Sequence, residues 1–128
     1  MGDDLPQLSA AELDVMRVLW AAERLSAAEL HEQLEDHGWA RSTLRTVLTR
    51  LVGKGAVRKE AFHGVQLYAA EVSRPQGLAA RVRDFARQVL EAPAASVVPL
   101  FAQSGSLTEE ELAELEALLG DSDDGGDA

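Results

Sequence analysis

Apolar residues recur along this chain with two different periods, and the switch between them outlines the architecture. Leu13, Met16, Leu19 and Trp20 lie three or four apart, which predicts a helix from about Ser9 to Glu23. Leu30 and Leu34 mark a second, from Ser26 to about His37, where Gly38 breaks it. Leu44, Val47, Leu48, Leu51 and Val52 form a full stripe on a third, from near Arg41 to Gly53 or Gly55. The period then drops to two. Val57, Lys59 and Ala61 alternate with Arg58, Glu60 and Phe62, and the run Val65 to Tyr68 follows the pair His63-Gly64. Two short strands around an X-Gly turn predict a β-hairpin.

Helical spacing returns after "SRPQG", a hinge or helix start. Leu78, Val82, Phe85, Ala86, Val89 and Leu90 predict a fourth helix, stopped by Pro93. The segment "AASVVPLFAQSG" is short, apolar and interrupted by Pro99, and Leu112, Leu115, Leu118 and Leu119 predict a last helix from Thr108 to about Leu119. Three of the helix starts share one device: "SAAE" at Ser9, "SAAE" at Ser26 and "TEEE" at Thr108 each set a hydroxyl at the cap and a Glu three residues on. Such a box satisfies two orphan amides reciprocally.

The fold class is therefore mostly α with a small β-hairpin wing. Residues 1–72 are expected to form a winged helix-turn-helix, and residues 73–120 a helical dimerisation region. The closing "DSDDGGDA", residues 121–128, reads as an acidic, disordered tail.

Charge changes this picture. The chain holds 12 Lys and Arg against 22 Asp and Glu, for a formal net charge of −10. Between Arg41 and Arg87, however, ten cations face three anions, so the basic residues gather on the third helix, the hairpin and the fourth helix. The stretch "WARSTLRTVLTRLVGKG", Trp39 to Gly55, has four cations and no anion. Opposite its apolar stripe stand Ser42, Arg45, Thr46, Thr49 and Gly53, flanked by Thr43 and Arg50. Hydroxyls and guanidiniums are the groups that meet phosphate oxygens and base edges, and small residues admit a helix into the major groove. Where the other marked helices place Glu three residues after the cap, this one places Arg45 three after Ser42. A helix end facing phosphates would exclude an acid there. Double-stranded DNA is the expected partner, met by Arg41, Ser42, Thr43, Arg45, Thr46, Thr49 and Arg50, with Lys54, Arg58, Lys59 and His63 holding the backbone near the wing.

Other chemistry is thinly represented. The chain has no cysteine, which excludes disulfides, thiolate metal sites and a cysteine nucleophile, and fits a cytoplasmic setting. The amino terminus shows no signal-peptide pattern, and no apolar run approaches membrane-spanning length. His31, His37 and His63 complete no metal-ligand set, and no nucleophile elbow, phosphate loop or paired-carboxylate motif occurs, so neither a cofactor nor catalysis is expected. Trp20 is expected in the core, and Trp39 pins the turn ahead of the third helix.

The residues also resemble the BlaI/MecI penicillinase-repressor family, which includes copper-responsive CopY-type repressors. The likeness runs from "LSAAELDVMRVLW" through "LSAAELHEQL", "WARSTLRTVLTRLVGKGAV" and "LYAAEVS" to "LTEEELAELEALL". It implies a homodimer on an operator of dyad symmetry, with Thr43, Arg45, Thr46 and Arg50 along the DNA-facing helix. The dimer contact is expected from Leu78, Val82, Phe85, Val89 and Leu90 with Leu112, Leu115, Leu118 and Leu119. The resemblance further implies relief by a membrane-bound sensor protease pathway, with cleavage around Leu100 and Phe101. This chain departs from the family pattern in having Ala40-Arg41 where a hydroxyl cap and Pro usually precede the recognition helix, so Ser42 is expected to cap one turn later. It also has His63-Gly64-Val65 where the wing usually carries a cation beside its Gly, and it lacks the cysteine cluster of the copper-responsive members. Two rival readings remain: a winged-helix protein-interaction module without specific DNA binding, and a regulator that senses a small molecule beside the fourth helix.

Overall fold

The computed structural model describes residues 5–127, with side chains as far as Gly120. It separates into two compact units, Leu8–Ser73 and the residues from Arg74 onward together with those preceding Leu8. Leu5 packs against the apolar cluster of the second unit, so residues 5–7 go with that unit where the sequence predicted one block from 1 to 72.

The first unit runs α1 (Ala10–Ala21), β1 (Leu25–Ser26), α2 (Ala27–Gln33), a 3-10 turn (Glu35–His37), α3 (Arg41–Gly53), β2 (Val57–Phe62) and β3 (Val65–Ala70). Both serine capping boxes form. The Ser9 amide donates to Glu12 Oε1 at 2.8 Å while the Glu12 amide donates to Ser9 Oγ, and Ser26 and Glu29 repeat the exchange. α3 has no such cap. Its N-cap is Ala40, with no side-chain hydrogen bond, and Ser42 lies inside the first turn without capping anything. The helix therefore starts one residue ahead of its nearest hydroxyl. α2 ends sooner than its apolar spacing suggests, because the chain tightens into the 3-10 turn and Gly38 closes it with φ 71°.

Leu13, Met16 and Leu19 of α1, Leu30 and Leu34, and Leu44, Val47, Leu48 and Leu51 of α3 are buried, as are Val57 of β2 and Ala69 of β3. β2 and β3 pair antiparallel from Val57↔Ala70 to Phe62↔Val65. The turn residues His63 and Gly64 have φ 50° and 81°, both left-handed, which suits the twist of a two-residue hairpin. A third strand joins them: Leu25↔Tyr68 and Ser26↔Leu67 place β1 on the outer side of β3. Trp20 is half-buried, and its Nε1 donates to the carbonyl of Val72 at 2.9 Å.

The second unit comprises α4 (Arg74–Phe85), a π-helical turn (Ala86–Leu90), a 3-10 turn (Ala94–Val97), α5 (Val98–Ser104) and α6 (Glu109–Asp127). Thr108 and Glu111 form the third capping box. Ala79, Val82, Ala86, Ala94, Val97, Leu107, Leu115 and Leu119 make a core of its own. α6 continues to Asp127, through the segment expected as a disordered tail, and propensity offers no reason for its last turns, Asp and Gly being weak helix formers.

Candidate nucleic-acid interface

α3 divides cleanly into two faces. Leu44, Val47, Leu48 and Leu51 point into the unit, and Arg41, Ser42, Thr43, Arg45, Thr46, Thr49 and Arg50 are exposed. Five of these, Ser42, Arg45, Thr46, Thr49 and Arg50, line one shallow, open depression. Thr46 Oγ1 donates to the Ser42 carbonyl at 3.0 Å and Thr49 Oγ1 to the Arg45 carbonyl at 2.9 Å. Each hydroxyl thereby spends its proton on the backbone one turn back and presents its lone pairs outward, ready to accept from a base amine. Among the described residues, the guanidinium groups of Arg41, Arg45 and Arg50 make no hydrogen bond or ion pair within the chain.

The remaining predicted cations are placed differently. Lys54, just past the end of α3, donates from Nζ to Glu12 Oε1 at 2.6 Å. Glu12 is 2% exposed, so its charge depends on that partner. Burial pushes the Glu12 carboxyl up, but the Lys54 ammonium and the Ser9 amide and hydroxyl more than offset this and hold it below its ordinary 4.5. Nothing in the local sequence announces this pair, whose members lie 42 residues apart. Glu12 has the signature of a capping residue and serves as one; its second partner depends on how α1 packs beside α3.

On the hairpin, Arg58 donates from Nε to Glu60 Oε2 at 2.6 Å and from Nη1 to Glu71 Oε1 at 3.1 Å. Arg24 Nη1 reaches the other Glu60 oxygen at 3.1 Å. The Glu60 and Glu71 contacts raise the Arg58 guanidinium above its usual range, and Arg58 holds the Glu60 carboxyl below its own. Lys59 is exposed. The tip carries exposed Phe62 and Val65, with the Phe62 and His63 rings edge to face at 4.1 Å. Of the residues expected to meet DNA, the structure gathers Ser42, Arg45, Thr46, Thr49 and Arg50 around one depression, leaves Arg41, Thr43 and Lys59 exposed elsewhere, commits Lys54 and Arg58 to carboxylates, and sets His63 in the hairpin turn.

A profile described as penicillinase repressor matches residues 8–121. The chain belongs to the penicillinase repressor family. It is 28% identical over 116 residues to the penicillinase repressor of Bacillus licheniformis, covering 90% of this chain and 91% of that one. To the methicillin resistance regulatory protein MecI of Mammaliicoccus sciuri it is 26% identical over 114 residues, covering 88% and 93%. Two solution structures match at TM-score 0.51 and 32% identity, each covering 56% of this chain and 89% of the other. One is the DNA-binding domain of the repressor BlaI; the other is Bacillus licheniformis BlaI in monomeric form with the blaP half-operator.

For this family member the residues named for dimer contact split into two groups. Val82, Leu115 and Leu119 are buried in their own unit's core, and Leu78, Leu112 and Leu118 pack partly against it. The premise that both apolar stripes need a second chain therefore does not hold for them, because α4 and α6 cover each other. Phe85, Val89 and Leu90 are left 45%, 63% and 43% exposed. The π turn accounts for Val89 and Leu90, since one extra residue in the turn rotates them out of the phase that buries Val82 and Ala86, whereas Phe85 precedes it at the end of α4. Leu100 and Phe101 sit within helical α5, Leu100 exposed and Phe101 half-buried against the core. No group of His, Cys, Asp or Glu among the described residues is arranged to hold a metal ion.

Proposed function

We propose that this protein is a DNA-binding transcriptional repressor that reads its operator with α3. The observation that carries the reading is the α3 surface: six exposed hydroxyl and guanidinium side chains from Ser42 to Arg50, no acid anywhere in the helix, and three arginines with no partner within the described chain. Three unpaired guanidiniums clustered on one helix repel one another locally, and a polyanion relieves that repulsion. The solved complex of BlaI with a half-operator supports the same assignment for a relative.

Binding as a homodimer on a dyad-symmetric site is supported by the exposed apolar side chains Phe85, Val89 and Leu90, which a second copy would cover. Relief by proteolysis at Leu100–Phe101 requires α5 to open first, since a protease needs extended backbone there. A binding selection from genomic fragments, at near-physiological salt, tests the reading. Recovery of a dyad-symmetric motif is the expected result, with a log–log salt slope near about −5 for roughly six phosphate contacts per dimer. Recovery of nothing above random sequence, with a flat salt dependence, would point instead to an acidic protein partner.

A further inference from the structure

A second depression on the first unit lies on the other side of Arg45. Between α2, α3 and β3 is a cleft of about 60 Å³, lined by His31, Arg41, Arg45 and Tyr68 with Ala27 and Ala28 at its edge. It has room for a few waters, on the order of a phosphoryl group in size. Resting on the DNA-binding reading above, we propose that this cleft seats one backbone phosphate of the bound duplex, apart from the α3 surface that meets the bases.

Four features of the cleft carry the inference. Arg41 and Arg45 stand one helical turn apart, where like charges repel and an anion between them relieves the repulsion. Neither has a partner among the described residues. His31 Nε2 donates to the Trp39 carbonyl at 2.9 Å, which fixes the ring where it lines the cleft. Tyr68, on the central strand between Leu25 and Lys59, lines the cleft with alanines and leucines, and no hydrogen bond among the described residues engages its hydroxyl. No carboxylate lines the cleft, although acids outnumber bases in the chain as a whole. Arg45 borders both depressions, so it links backbone position to base contact. Neither His31 nor Tyr68 has a sequence signal for this role: one lies on a helix with polar neighbours, the other in a strand.

Phosphate contacts and base contacts respond differently to mutation, and that difference is the test. Affinity of the full chain is measured for the duplex recovered by selection and for a random duplex of equal length, over a range of salt. Arg41→Ala is expected to weaken both about tenfold, to leave their ratio unchanged, and to lower the salt slope by about one per bound protomer. Tyr68→Phe, which removes one oxygen and leaves the ring in place, is expected to weaken both two- to fivefold. Arg50→Ala serves as the contrast and reduces the ratio. Wild type binding duplex normally while Arg41→Ala and Tyr68→Phe keep its affinity and slope would overturn the cleft alone. Wild type failing to bind any duplex would overturn the parent reading with it. As a further arm, inorganic phosphate is titrated while the His31 ring signals are followed by NMR. Saturation at submillimolar phosphate, with affinity for duplex unaffected by it, would assign the cleft to a free anion and also overturn the proposal; competition between phosphate and duplex supports it.

Discussion

The recognition helix and the wing carry similar numbers of cations and use them in opposite ways. On α3, Arg41, Arg45 and Arg50 stand free of partners among the described residues. On the hairpin, Arg58 is held by Glu60 and Glu71, and Arg24 also reaches Glu60. An arginine already hydrogen-bonded to two carboxylates has little charge left to offer a phosphate, and would have to break those bonds to reach one. The lesson is that counting cations along a sequence finds a basic region, while pairing decides which part of it is available. Lys54 lies between the two cases: it ties the end of α3 to Glu12 at the start of α1, so its charge holds the helix in place.

The largest expected effect removes the buried side of the helix. Leu51→Ala should lower unfolding free energy by about 2–5 kcal/mol, read from denaturant midpoints, because Leu51 is fully buried. A loss below about 1 kcal/mol would mean that α3 is not anchored as described. Next comes the free-versus-paired contrast itself. Arg50→Ala should cost about 1–3 kcal/mol in operator binding, whereas Arg58→Ala should change affinity by less than about twofold. Equal losses in titrations of the two variants would erase the distinction between helix and wing.

A smaller effect is expected with pH. The Glu12 carboxyl lies below its ordinary 4.5 in the folded chain, so its ionised, paired form contributes stability above that pH. The contribution should fade as pH drops from about 4.5 through the folded value. Comparing wild type with Lys54→Met by thermal melting at pH 7 and pH 3 isolates it: the gap between them should narrow in acid. A gap that widens would reverse the sign assigned to the pair. The smallest effect frees the wing. Glu71→Gln should leave Arg58 with one carboxylate fewer and raise affinity for random duplex by about two- to threefold, with a slightly steeper salt slope. No change in either would show that the wing stays away from DNA whatever its charge.

Much of this molecule was readable before its coordinates. The capping boxes at Ser9, Ser26 and Thr108 all form, and the X-Gly turn closes the hairpin where the period changes. These are local signals, written within four residues. β1 escaped notice because two residues cannot display a period of two, and it exists only through pairing with Tyr68 and Leu67. Ser42 does not cap, although a hydroxyl near a helix start is a common signal, because α3 starts at Arg41 with Ala40 as its N-cap. The leucines of α6 looked like an interface because amphipathicity says that a face must be covered and not by what.

By itself, then, the sequence determined the order and type of the main elements, the buried stripe of α3 and the absence of acid from its outer face, since each depends on neighbours a few residues away. Only the tertiary structure decided which charges remain free, which apolar faces remain open and which side chains share a cleft. Lys54 meets Glu12 across 42 residues, Arg58 meets Glu71 across 13, and a single π turn sends Val89 and Leu90 outward while Val82 goes in. Coulomb attraction and packing act between groups close in space whatever their separation along the chain, so their outcome appears only once the chain has folded.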